Sequence, residues 1–248
     1  MSSADPVSQF FSEREADIDR MGQDSEFGRK SLEWMLHADH YKYNYNFTWM
    51  GRPVIKFPGD MIVQQELMWK LKPDLVIETG IAHGGSLVFS ASMMEMMGYE
   101  GEVVGIDIDI RPHNREALEA HPLMKRITMY EGSSVDTKIV EKVRQHTVGK
   151  RCVMVILDSL HSHEHVYQEL RAYGEMVTLG SYCLVTDTYV EFFPKGHFSH
   201  NRPWDVGNNP YTGMKQYLSE TDLFTTDPVP DRKAVITENT EGYLLRIK

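Results

Sequence analysis

The 248-residue sequence is poor in three things, and each shortage removes a class of function. Cysteine is scarce: the two present, Cys152 and Cys183, each sit inside an apolar run and read as small core residues, not as a disulfide or zinc framework. Positive charge is not in excess, because 26 basic against 36 acidic side chains leave a net charge of -10. Such a surface repels phosphate backbones and anionic lipid, so nucleic acid and membrane are excluded as partners. Long hydrophobic runs are missing too; none approaches the ~20 residues of a membrane span. The opening MSSADPVSQFFSEREADIDR lacks the basic and apolar regions of a secretory signal, which makes the expected location cytoplasmic. What is there, 41% hydrophobic residues over this length, suffices for one α/β domain with a decorated N-terminus.

Along the chain, the first forty residues show helical spacing with polar breaks and predict one or two helices. The stretch YKYNYNFTWMGRPVIKFPGD reads as a loop, since Gly51, Pro53, Pro58 and Gly59 punctuate it. Residues 1–60 are therefore expected to form a helical cap and loop belonging to the same unit as the main domain, 61–248. Asp60 is placed to cap the next helix, in which Ile62, Leu67, Trp69 and Leu71 supply the apolar positions before Pro73 ends it. Met93, Met94, Met96 and Met97 read as core filling on a later helix.

From Pro73 onward the pattern is strand, turn, helix, repeated. Short continuous apolar runs at 75–80, 102–109, 126–132, 152–158 and 182–188 predict buried parallel strands, with helices around 86–98, 112–120, 135–146 and 164–178 between them. That alternation predicts a Rossmann-like, doubly wound, mostly parallel sheet. AVITE (234–238) and YLLRIK (243–248), parted by NTEG, predict a C-terminal antiparallel hairpin at one sheet edge.

In open α/β sheets ligands bind beyond the carboxyl ends of the strands. The first run ends Glu78-Thr79-Gly80 and continues through His83, Gly84, Gly85 and Ser86 into a helix. Glycines there let backbone approach a ligand closely. The second run ends in Asp107, twenty-seven positions beyond Gly80, where such folds place an acid against ribose hydroxyls. Ser133, after the third run, is the candidate for the adenine edge. A nicotinamide cofactor would use the same acid, but the turn is G-x-x-x-G-G-S and not G-x-G-x-x-G. An acid just before the turn suits a cationic amino-acid cofactor, which favours S-adenosylmethionine.

The ordered set V-I-E-T-G-I-A-H-G-G-S-L, V-V-G-I-D-I, I-L-D-S-L-H-S-H-E-H-V and Y-C-L-V-T-D-T, followed by R-P-W-D-V-G-N-N-P, resembles the cephalosporin hydroxylase and rhamnosyl O-methyltransferase family from about Trp49 to the C-terminus. The resemblance implies a class I methyltransferase with a Rossmann-like core, S-adenosylmethionine, a divalent metal such as magnesium, and homo-oligomeric assembly. Carried over, Glu78, Gly80, Gly84, Gly85 and Ser86 would face the methionine part of the cofactor and Asp107 its ribose. One departure concerns the fifth strand end, where Thr186-Asp187 stands in place of two adjacent acids.

Asp158 and Asp187 end neighbouring runs and are the expected metal ligands, with Asp158 also at the cofactor. Of His161, His163 and His165, His161 lies closest to the strand end and is the expected general base, the other two entering the helix and pointing elsewhere. The segment from Phe192 to Pro210, with few apolar residues, reads as a mobile loop over the substrate, with Trp204 positioned to stack on a sugar face. The expected activity is thus O-methylation of a small hydroxylated acceptor, a sugar or glycoside. Two rivals remain: a non-haem iron oxygenase using His37-Ala38-Asp39, and a catalytically silent cofactor-binding protein.

Overall fold

The computed structural model describes residues 5–248, so the first four positions of the expected 1–60 segment lie outside the described residues. Helices α1 (Pro6–Gln23) and α2 (Ser25–Asp39) open the chain, capped by Asp5 and Asp24, whose carboxylates accept from the amides of Ser8 and Phe27. The stretch read as a loop instead holds a short turn of helix, Tyr43–Tyr45, and an antiparallel hairpin of β1 (Phe47–Trp49) and β2 (Arg52–Val54). Its two-residue turn, Met50-Gly51, takes positive φ at both positions, which two three-residue strands, one with Pro53 inside it, did not announce.

Helix α3 (Pro58–Leu71) corrects two expectations. Its cap position is Phe57, and Asp60 lies inside the first turn, buried, accepting from the Glu238 amide at 2.9 Å and from the hydroxyls of Thr237 and Tyr243. Helical spacing then puts Met61, Gln64, Leu67 and Met68 on the same side as Asp60. Ile62 and Trp69, expected inside, face away and are 59% and 60% exposed.

The remaining elements are β3 (Leu75–Thr79), α4 (Gly85–Met97), β4 (Glu102–Asp107), α5 (Pro112–Glu119), β5 (Ile127–Glu131), α6 (Thr137–His146), β6 (Val153–Leu157), α7 (His163–Tyr173), β7 (Tyr182–Val185), α8 (Pro210–Glu220), β8 (Phe224–Thr226), α9 (Pro228–Ala234) and β9 (Tyr243–Arg246). The main sheet has the order β5-β4-β3-β6-β7-β9-β8, with β9 antiparallel to both neighbours and β5, β4, β3, β6 and β7 parallel. The central strands carry apolar residues on both faces because both faces are covered: Val76, Val103, Met154 and Ile156 join one core, and Leu75, Ile77, Val104, Val153 and Val155 the other. Helix α4 is buried nearly all round, since β1 and β2 cover its outer side and Trp49 Nε1 donates to Ser92 Oγ at 2.8 Å. Met93 and Met94 fill the core there, but Met96 is 78% exposed.

The expected partner of the last strand is also different. Residues 235–238 are not a strand: Val235 has φ +61°, which a strand cannot contain, and the Asp60 carboxylate captures the Glu238 amide. The antiparallel pairing is made by β8, from before α9. A third apolar cluster joins Met35 of α2 to Phe57, Tyr189, Val190 and Phe193. No helix among the described residues is long and apolar enough to cross a membrane.

The rotation of α3 has a direct test. Met68→Ala removes a fully buried side chain and should cost about 2–5 kcal/mol, whereas Trp69→Ala should stay within about 0.5 kcal/mol. Denaturant unfolding that ranked the two in the opposite order would refute the face described.

Candidate active site

At the carboxyl ends of the parallel strands lies a cleft of about 830 Å³. It opens where the order reverses between β3 and β6, the position at which doubly wound sheets bind ligands. Gly80, Gly85, Ser86, Asp107, Ser133, Asp158, His161 and Asp187 all line it.

Two of the glycines are required by close approach. A Cβ on Gly80, at φ +89°, would lie 1.9 Å from the Asp158 carbonyl oxygen, and one on Gly85 would lie 2.2 Å from that of Pro53. Gly84 is different from the expectation. It caps α4 at φ +80°, its missing Cβ makes room for Leu118 of α5, and it is not part of the cleft wall.

Glu78 likewise does not reach the wall. It is fully buried behind Ser86, whose hydroxyl donates to Oε1, while Oε2 has no partner among the described residues. Burial pushes its carboxyl up to about 7, against the opposing pull of the Lys56 charge and the Ser86 hydroxyl. An orphaned buried carboxylate oxygen of this kind fits a cationic ligand group arriving past Ser86.

Asp107 ties the glycine turn to β4. Its Oδ2 accepts from the amides of Ile81 at 2.8 Å and Ala82 at 3.1 Å, and Oδ1 from that of Asp109 at 3.1 Å. Oδ2 has both of its lone pairs engaged, whereas Oδ1 can accept once more, so the side chain still offers an acceptor to a ribose hydroxyl. Beside Ser133, the Ser134 hydroxyl lies 3.0 Å from His165 Nε2.

At the other end, Asp158, His161 and Asp187 bring donor atoms within 4.8 Å of one another, the one such group of three among the described residues. Asp187 follows β7 at φ +55°, an uncommon backbone state for a residue other than glycine and frequent at functional sites. Burial raises its carboxyl, His161 opposes that rise and Asp158 adds to it. His161 Nδ1 is 3.5 Å from Asp187 Oδ2. Thr186 donates to Asp158 Oδ1 at 2.7 Å. Two carboxylates and an imidazole are a donor set that fits a divalent cation. His37 is absent from the cleft, so the H-x-D oxygenase site is not assembled; Asp39 instead accepts from His197 Nε2 at 2.8 Å.

Several wall residues were not found from sequence. Lys56, 3% exposed, donates to Asp158 Oδ2 at 3.1 Å and to Glu238 Oε1 at 3.0 Å. Tyr45, Tyr189 and Phe198 line the outer part, and the Trp204 ring stands edge-on to His161 with centroids 4.8 Å apart. The expected mobile loop is folded on itself: Gly196 N donates to Asp205 Oδ2 at 2.7 Å and Phe193 stacks on Phe198. His163 does point away, to Thr212 and Gln216, but His165 turns into the cleft.

Residues 41–247 match the model of a family described as rhamnosyl O-methyltransferase/CmcI. Among curated proteins, the rhamnosyl O-methyltransferase of Mycobacterium leprae (strain TN) is 31% identical over 85% of this chain and 90% of its own length. That of Mycobacterium bovis (strain BCG / Pasteur 1173P2) is 30% identical over 80% and 78%. Among solved structures, CmcI in an apo form and CmcI with Mg and SAM both align with a TM-score of 0.59, at 20% and 21% identity, covering 82% of this chain and 77% and 78% of theirs; they share the fold.

The Glu78 carboxyl has a consequence for stability. It titrates near 7 in the fold and at its ordinary 4.5 when unfolded, so its contribution is present below pH 4.5 and lost as pH rises through 7. Glu78→Gln should flatten that limb and, above pH 7, recover up to about 3 kcal/mol. Thermal unfolding with an unchanged pH slope in the variant would show that the carboxyl is not so displaced.

Proposed function

The chain belongs to the rhamnosyl O-methyltransferase/CmcI family, and on that premise we propose that it methylates a hydroxyl of a sugar or glycoside, using S-adenosylmethionine and a divalent cation. The observation that carries this reading is the meeting, in one cleft, of a cofactor end built on Ser86 and Asp107 with a proton-transfer end built on Asp158, His161 and Asp187. The relatives named for rhamnosyl O-methylation and the CmcI structure with Mg and SAM support it.

At the cofactor end, the backbone at Gly80 and Gly85 admits the methionine portion, Ser86 backed by the buried Glu78 carboxyl faces its ammonium, Asp107 accepts from the ribose, and Ser133 lies toward the base. Gly84 has no place in this set, for the packing reason given above. At the other end Asp158 and Asp187 would hold magnesium. When bound, the ion would orient the acceptor and acidify its hydroxyl. The chain supplies the rest: Asp187 facing His161 Nδ1 keeps a proton on that nitrogen and leaves Nε2 as the base, the logic of a carboxylate-oriented imidazole. Trp204 beside His161 offers an aromatic face to a sugar. The reading treats segments 1–60 and 61–248 as one unit, supported by the apolar cluster shared between α2 and the 188–204 segment. It also includes a cytoplasmic location and self-association, with Ile62 and Trp69 of α3 as exposed apolar candidates for the contact; a monomer in sedimentation at micromolar concentration would remove that last part.

Transfer of labelled methyl from S-adenosylmethionine to a panel of glycosides, rhamnosides included, is the deciding experiment; no transfer to any hydroxylated acceptor would sink the reading. His161→Ala should retain affinity for S-adenosylhomocysteine and lose about 10²–10⁴-fold in turnover, together with the ascending limb of the pH profile. An unchanged limb would give the proton to another group. Chelation should suppress turnover and spare cofactor binding, and full activity without metal would refute the ion's role.

A further inference from the structure

His165 is the third residue of α7 and lines the cleft beside Ser133 and Ser134. Its Nε2 lies 3.0 Å from Ser134 Oγ and 3.4 Å from Glu169 Oε1, one helical turn on. Glu169 is fully buried, its Oε1 accepts from Ser159 Oγ at 2.7 Å, and its Oε2 has no partner among the described residues. Tyr173, also fully buried, donates to the Ser134 carbonyl at 2.6 Å and fixes that side of the arrangement. Three hydrogen-bonding residues behind one partly exposed imidazole are more than packing needs.

A carboxylate accepts and does not donate, so Glu169 Oε1 at 3.4 Å favours the tautomer of a neutral His165 with its proton on Nε2, Ser134 Oγ at 3.0 Å then accepting that proton. Nδ1 is then a lone-pair acceptor, and no described residue donates to it. We propose that His165 reads the purine of the cofactor, its Nδ1 accepting from the 6-amino group of adenine, and that Glu169 is the positioning residue that sets the tautomer. The assignment rests on the cofactor reading above. It follows from position as well as chemistry, because His165 stands next to the strand end already given to adenine, whereas Asp107 holds the neighbouring strand end. A 6-oxo purine would present an acceptor to an acceptor and be rejected.

Calorimetry with S-adenosylhomocysteine and its 6-oxo analogue, S-inosylhomocysteine, tests this without an acceptor or turnover. The wild-type protein should prefer the amino compound by about tenfold or more, the scale of one hydrogen bond. His165→Ala should bring the ratio close to one. Glu169→Gln, which frees the tautomer, should narrow the ratio with a smaller loss of affinity for the amino compound, an outcome that a merely structural role would not produce. If His165→Ala does not fold, His165→Gln makes the same test, since its amide can serve either purine. Binding of S-adenosylhomocysteine with an unaltered ratio in the folded His165 variant overturns this proposal alone. Failure of the wild-type protein to bind S-adenosylhomocysteine overturns the cofactor reading and this proposal with it.

Discussion

The site is organised around one buried ammonium. Lys56 Nζ bonds Asp158 and Glu238, and its charge is also felt by Asp60, Glu78 and Asp187. Burial alone would disfavour the charged lysine, yet the surrounding carboxylates hold its pKa well above the ordinary value. The converse matters more: without Lys56 the carboxylates of Asp158 and Glu238 would face each other's field with no compensation, and an unpaired buried charge is among the most costly groups a fold can contain. Because Lys56 follows β2, Asp158 follows β6 and Glu238 lies before β9, this one cation fastens the hairpin, the central sheet and the C-terminal loop at the rim of the cleft. The short hairpin and the polar loop at 235–239 are therefore parts of the site and not decoration.

The same cation sets the electrostatics of the proton-transfer end. Asp158 already has both oxygens engaged, by Thr186 and by Lys56. Lys56 places a positive neighbour beside Asp158, which lowers the attraction of that carboxylate for a second cation. Asp187, by contrast, has only His161 close by in an ion-pairing sense, which leaves it the less committed of the two carboxylates. The imidazole it faces is also packed edge-on against Trp204, so His161 has a carboxylate on one side and an aromatic ring on the other.

What could be read from sequence was what depends on local pattern. Strands buried on both faces appear as unbroken apolar runs, so β3 to β7 were legible to within a few residues, and with them the acids and glycines at their ends. What failed depended on distant partners. The rotation of α3 is set by Asp60 reaching the 237–243 segment, which also explains why AVITE, with its β-branched residues, is not a strand. Gly84 looked like part of a ligand turn, but its space is taken by Leu118, thirty-four positions later. Lys56 and Glu238 are separated by 182 positions, and no local spacing connects them. His165 was misdirected for a subtler reason: entering the helix does not turn a side chain outward when the helix itself packs beside the cleft.

A division of labour follows from where the wall residues come from. The end of the cleft proposed for the cofactor is made by strand ends and the turn after β3, held by main-chain bonds such as Gly80 N to Ile106 O at 2.7 Å and by the Asp107 carboxylate, and it can change little without disturbing the sheet. The outer end is made by Tyr45, by the 188–204 segment and by Asp39 of α2. The portion of the chain shared with the family begins at residue 41, so α2 lies outside it, yet α2 contributes Met35 to the cluster under that segment and Asp39 to its bond with His197. Side chains supplied by loops and an added helix can be exchanged at small cost to the core. The proposed chemistry therefore rests on the strand ends of the sheet, and the proposed choice of acceptor on the part of the molecule that the sheet does not dictate.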